Sequence, residues 1–167
     1  TAEAELCRQL GVDLVITDHH ECKEVLPQAC AVVDPHRPDG GYPHKNLSGV
    51  GVAFKLAAAL CGSQEEVLDE YADMVCLGTV ADVMPLLGEN RVFVTRGLAA
   101  LQNTKRPGIA ALMAEAGCAP ESVNASAIGF MLAPRINAAG RMGQIDLAIE
   151  LFLTQDPQRA SAVAKAL

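Results

Sequence analysis

An apolar run, VDLVIT, ends in one acid and two adjacent imidazoles: Asp18, His19 and His20. Polar groups at the end of a buried segment cost free energy unless they find partners. A divalent cation would satisfy them, because imidazole and carboxylate donors suit Mn²⁺, Zn²⁺ or Fe²⁺. Alternatively, Asp18 accepts backbone N–H groups and the histidines cap the next helix. Adjacent histidines on a turn point apart, so one can meet a metal and the other an anionic substrate. Asp82 is the second candidate, the one charged residue between Asp73 and Glu89. A buried carboxylate in TVADVMPL needs a cation, a metal or several donors; otherwise it is a helix N-cap or turn residue. The third candidate is RINAAGR, where Arg135 and Arg141 flank Asn137 and small residues. Two guanidiniums there can hold a phosphate bidentately, or pair with acids in an inter-helix loop.

The elements that must position these groups are set by periodicity. A helix over 2–10 is closed by Gly11. Two short apolar runs rich in β-branched residues, 12–17 and 31–35, read as buried strands of a parallel sheet. In such sheets functional groups collect just past the carboxyl ends of strands, where Asp18–His20 stand. Residues 34–47, with three Pro and two Gly, form a loop; its His36 and His44 read as exposed or turn-supporting. Ser48 caps a helix to Cys61, stopped by Gly62. Gly49 and Gly51 in its first turn suit either close packing or an anion near free amides. The stripe Val67, Leu68, Tyr71, Met74 and Val75 predicts a core-facing helix over 65–77 ending at Gly78. Further helices are expected over 90–103, 107–117, 124–133, 145–154 and 157–167, with a loop at APRINAAGRMGQ. The class is α/β, a parallel sheet flanked by helices, with a helical extension.

The 167 residues suit one domain, and half of them are apolar, enough for a sizeable core. No uninterrupted apolar stretch spans a bilayer and no secretory signal is visible, so a cytoplasmic protein is expected. The six cysteines lack CxxC spacing and read as reduced, mostly buried thiols; Cys22 lies close enough to the histidines to reach a metal. The net charge of −7 argues against a nucleic-acid domain unless motifs overcome it.

TDHHE, GTVADVMPL about 60 residues later and APRINAAGRMG, with DPHRPDGGYPHKNLSGVGVAFKLAAAL between, together resemble the DHH phosphoesterases, and within them the single-stranded-DNA exonuclease branch. The resemblance covers nearly the whole chain. It implies a two-metal phosphoesterase using Mn²⁺ or Mg²⁺ that releases nucleotides from a 5′ end of single-stranded DNA. It implies His19 and Asp82 as metal ligands and His20 beside the metals and the scissile phosphate. Asp18 would support them from close by. Arg135, Asn137 and Arg141 would face the DNA phosphates. A helicase and a single-strand-binding protein are further partners it would allow.

The chain departs from that family in lacking the two acidic motifs expected upstream of DHH. Residues 1–142 are therefore read as the C-terminal part of the catalytic domain and 143–167 as the start of a helical linker onward. Asp18 and Asp82 supply too few carboxylates for two metals, so the chain alone is expected to be inactive. Competing readings are another DHH enzyme (an oligoribonuclease, a cyclic-dinucleotide phosphodiesterase or a pyrophosphatase) and a non-catalytic binding module of the same fold.

Overall fold

The computed structural model describes all 167 residues. Helix α1 (Ala2–Gln9) leads through Gly11 into β1 (Val15–Thr17), and β2 (Ala31–Val33) comes next. The strands are parallel, with Val15 opposite Ala31, Ile16 opposite Val32 and Thr17 opposite Val33. Both are shorter than the apolar runs that predict them, and they are not buried: Val15 is 55% exposed. Two strands form a thin layer that helices cover only in part, so β-branched composition marks the strands but overstates their burial.

After the expected loop that follows β2, the rest of the chain is mainly helical. Helices α2 (Gly49–Cys61), α3 (Gln64–Ala81) and α4 (Gly88–Gln102) pack in sequence, and α5 (Pro107–Glu115) comes after them. Then come a short α6 (Ala125–Ala127), a π-helical turn (Ile128–Leu132) and α7 (Ala133–Arg141), and last α8 (Ile145–Leu153) and α9 (Pro157–Ala166). The start of α2 is as expected: Ser48 Oγ accepts the Gly51 N–H at 3.2 Å, and Gly62 closes the helix at φ 80°. Helix α3 does not stop at Gly78 but continues to Ala81. Apolar text on both sides of that glycine keeps the helix packed, and the missing side chain admits α2: a Cβ there would lie 2.6 Å from Val50 Cγ1. APRINAAGR is helix α7, not a loop. Its alanines and arginines are good helix formers, and Pro134 sits in the first turn, where no intrahelical N–H is needed.

Two cores hold the helices. Leu47, Val52, Phe54, Val67, Leu68, Val75 and Phe93 join α2, α3 and α4, with the Phe54 and Phe93 rings edge to face at 4.9 Å. Each large side chain buried here contributes about 1.5–3 kcal/mol. The larger core, including Leu77, Leu101, Ile109, Leu112, Ile128, Leu132, Leu151 and Val163, joins α3 to α9. Residues 145–166 thus fold back onto the same body. Tyr71, read as core, is 43% exposed under the Arg106 guanidinium, which stands 5.2 Å from the ring centre. Only Cys76 and Cys118 are buried, so the thiols are less hidden than expected. Burial pushes the Cys76 thiol up to about 12. No helix is long and apolar enough to cross a membrane.

Candidate active site

The parallel ladder carries Asp18 to the strand tip. Its N–H donates to the Val33 carbonyl at 3.0 Å, one step beyond the last paired residue. Asp18 Oδ1 then accepts the N–H groups of His19 at 2.7 Å and His20 at 3.3 Å, and meets His20 Nδ1 at 2.7 Å. The His20 hydrogen bond holds the Asp18 carboxyl below its ordinary value, and the same bond raises the exposed His20. Asp18 accepts backbone N–H groups as the alternative expected and also belongs to the cluster, but no helix follows for the histidines to cap, since β2 is the next element.

His19 turns inward. Its ring packs over Gly49, where a Cβ would stand 3.4 Å from Cδ2, and its Nδ1 lies 3.5 Å from Asp82 Oδ2. The two histidine rings do not diverge; their centres are 4.3 Å apart, tilted by 44°. Ligand-capable atoms of Asp18, His19 and His20 all lie within 4.8 Å of one another. That nitrogen–oxygen donor set, with Asp82 against His19, suits a divalent cation such as Mn²⁺ or Mg²⁺.

Asp82 is neither buried nor an N-cap. It is the C-cap of α3, with its side chain 42% exposed. Because α3 runs on past Gly78, its last turn delivers the carboxylate beside β1. A cavity of about 740 Å³ opens there. His19 and Asp82 line it together with Asn137 and Arg141, and with Ser48 and Gly49 from the start of α2. Met74, Leu77, Ile136 and Phe152 supply its apolar lining. Asn137 and Arg141 are four apart on α7, hence on one helical face. Arg135 is not brought in: its guanidinium donates to the Glu115 carbonyl at 3.5 Å.

Three positions carry no functional motif in the sequence. Asp34 comes directly after β2 as Asp18 does after β1, and the parallel register sets the two acids side by side. The Cys22 thiol donates to Asp34 Oδ2 at 3.4 Å, so Cys22 faces this acid rather than the imidazoles. An acid directly after a second apolar run was the available signal. Ser48 carried a helix-start signal only, and nothing local marked Phe152, whereas Gly49 reads in the sequence as a place for close packing or an anion and does line the cavity.

The fold and site define a class: helix-flanked parallel α/β proteins with a histidine–carboxylate cluster at the strand tips. Residues 1–79 match the family described as "DHH family, N-terminal domain". Over those residues the chain carries the pattern of the DHH family. It is 45% identical over 162 residues to the single-stranded-DNA-specific exonuclease RecJ of Bacillus subtilis (strain 168), covering 97% of this chain and 20% of that one. To RecJ of Escherichia coli (strain K12) it is 38% identical over 179 residues, covering 99% and 31%. Among solved structures it resembles RecJ from Thermus thermophilus in complex with Mn²⁺, with TM-score 0.82 and 37% identity, covering 98% of this chain and 25% of that one. A manganese-bound exonuclease RecJ matches with TM-score 0.85 and 34% identity, covering 99% and 42%. The chain therefore spans between a fifth and a third of the curated relatives named here.

Proposed function

We propose that these residues form the histidine-bearing part of a metal-dependent phosphodiesterase that removes nucleotides from a 5′ end of single-stranded DNA. The observation that carries this reading is the meeting of His19 and Asp82, 3.5 Å apart, in the cavity that Arg141 and Asn137 also line.

His19 and Asp82 would hold Mn²⁺ or Mg²⁺, with Asp18 in support. When bound, such ions lower the pKa of a water and neutralise charge on the phosphate. Asp18 orients His20 through the 2.7 Å contact and keeps its ring at the solvent side of the cluster. Arg141 offers a planar fork to a phosphate at the cavity wall, and Asn137 a second donor one turn earlier. These local groups offset the overall charge of −7, so an acidic chain can still engage a polyanion. The reading takes residues 1–142 as the C-terminal part of the catalytic domain and 143–167 as the start of the connection onward. The whole protein would work in the cytoplasm, with a helicase and a single-strand-binding protein as partners.

The test is digestion of a 5′-phosphorylated single strand by the full-length protein with Mn²⁺, compared with inorganic pyrophosphate and short oligoribonucleotides. Faster release of 5′ nucleotides from the DNA is expected. Preference for pyrophosphate or for the ribonucleotides would assign the site to another DHH activity. The 167-residue chain by itself should show no digestion, because its carboxylates are too few for two metals.

A further inference from the structure

Val83 is the one residue other than glycine with a positive φ, at 56°. It closes α3 in a Schellman arrangement: the Val83 N–H donates to the Val80 carbonyl at 3.0 Å and the Met84 N–H to the Thr79 carbonyl at 3.3 Å. Glycine ordinarily takes this place, because a Cβ crowds the left-handed backbone, and a β-branched residue there is an outlier. Elsewhere the chain obeys the rule, with Gly11, Gly62, Gly117 and Gly143 all in left-handed turns. The strain at Val83 gains nothing inside the chain, since the residue is 87% exposed. An apolar, β-branched side chain is thus held out into solvent at a backbone position that disfavours it. It stands directly after Asp82, which lines the cavity against His19. Strained residues of this kind collect where a ligand is met.

We propose that Val83 is a substrate-contacting residue, its side chain packing against the base of the nucleotide whose phosphate enters the His19–Asp82 cavity. The inference rests on the phosphodiesterase reading and adds the nucleobase to it. An unpaired, unstacked base can lie against such a knob, whereas a base inside a duplex keeps its faces covered by its neighbours. Val83 therefore favours single strands.

The experiment uses Val83→Gly and Val83→Ala in the full-length protein, with Mn²⁺ and two oligonucleotides. One is a 5′-phosphorylated single strand; the other is identical but abasic at its 5′-terminal nucleotides. Glycine removes the side chain and the strain together, so its melting temperature should rise; alanine keeps the Cβ that strains the left-handed backbone and removes only the two γ-methyl groups. Both variants should raise KM on the ordinary strand by about tenfold, the worth of one buried valine, with kcat and Mn²⁺ affinity unchanged. On the abasic strand the wild type should already show the raised KM and the variants no further loss. Unchanged KM in Val83→Gly, or equal losses on both strands, would overturn the proposal. So would a joint fall in kcat and Mn²⁺ affinity, because Val83 would then act only by holding Asp82. A wild-type protein that cleaves neither strand would remove the phosphodiesterase reading and this inference with it, a result distinct from the others.

Discussion

Ser48 Oγ lies 3.1 Å from Thr79 Oγ1, and both hydroxyls are buried beneath the cavity. The contact ties the first turn of α2, on which His19 rests, to the last turns of α3, which carry Asp82. Ser48→Ala removes the cap of α2 and leaves Thr79 without its partner. Loss of such a cap costs about 1 kcal/mol and a stranded buried hydroxyl about 1–3 kcal/mol. Chemical denaturation should therefore show Ser48→Ala destabilised by roughly 2–4 kcal/mol. Thr79→Val leaves the Gly51 N–H bond to Ser48 in place and should cost less. A Thr79→Val variant as stable as the wild type would mean the hydroxyl pair adds nothing beyond the cap.

Gly97 lets α4 approach α3. A Cβ at this position would stand 2.1 Å from Cys76 Cβ and 2.4 Å from the Ala72 carbonyl oxygen. Backbone cannot yield as a flexible side chain can, so Gly97→Ala must push the helices apart. Overpacking of this kind costs about 1–3 kcal/mol or more, far outweighing the helix propensity alanine gains, about 1 kcal/mol. A thermal melt higher than that of the wild type would contradict this geometry.

Glu89 sits between the Lys55 ammonium and the Tyr42 hydroxyl, which donates to it at 2.5 Å. Burial alone would raise the carboxyl, but the bonds from Lys55 and Tyr42 outweigh it and hold the group below its ordinary 4.5. A carboxyl depressed in the folded state stabilises above its unfolded pKa, and that contribution is lost as pH falls through the depressed value. Glu89→Gln should therefore be less stable than the wild type at neutral pH. Denaturation across a pH series should show the gap closing below about pH 4.5. A gap that stays constant into acid would show that the ionised form of Glu89 is not what matters.

What the sequence disclosed depended on the range of the interaction. The Ser48 cap, the Gly62 stop and the tip position of Asp18 are set within a few neighbours, and the structure keeps all three. The meeting of His19 with Asp82 was expected through a family resemblance, since nothing local joins residues so far apart. At Gly78, around Asn137 and at Val15, local propensity points one way and packing decides otherwise. Gly78 is a contact point for Val50 rather than a helix stop. The RINAAGR segment is helical, with Ile136 packed against the larger core. Val15 lies in a two-stranded layer whose outer surface is open.

Removal of either proposed ligand should abolish turnover before it harms the fold. Asp82 is 42% exposed in its side chain, so Asp82→Asn removes little packing; His19 is 18% exposed and packs over Gly49, so His19→Gln, which keeps most of the side-chain volume, is the variant to use there. A metal site supplies several kcal/mol of transition-state stabilisation, so each change should lower hydrolysis by the full-length protein about 10²-fold or more. Calorimetric titration with Mn²⁺ should show weakened binding in both variants. If Asp82→Asn bound Mn²⁺ as tightly as the wild type, Asp82 would be a neighbour of the site and not a ligand.

Arg135 and Arg141 look equivalent in RINAAGR, but helix α7 separates them. Six residues at about 100° each bring Arg141 well away from the direction of Arg135. Arg141 lines the cavity with Asn137, while Arg135 reaches the carbonyl of Glu115. If Arg141 meets a DNA phosphate, Arg141→Ala should weaken binding of single strands of any sequence. It should also lower the dependence of log affinity on log salt by about one unit. Arg141→Lys should recover the charge but not the bidentate geometry, and so only part of the affinity. Arg135→Ala should leave both the affinity and the salt slope near the wild type. Anisotropy titrations of a labelled oligonucleotide at several salt concentrations measure all of this. Equal slopes for Arg141→Ala and the wild type would place the phosphate elsewhere, and a reduced slope in Arg135→Ala would mean that its contact with Glu115 yields when DNA arrives.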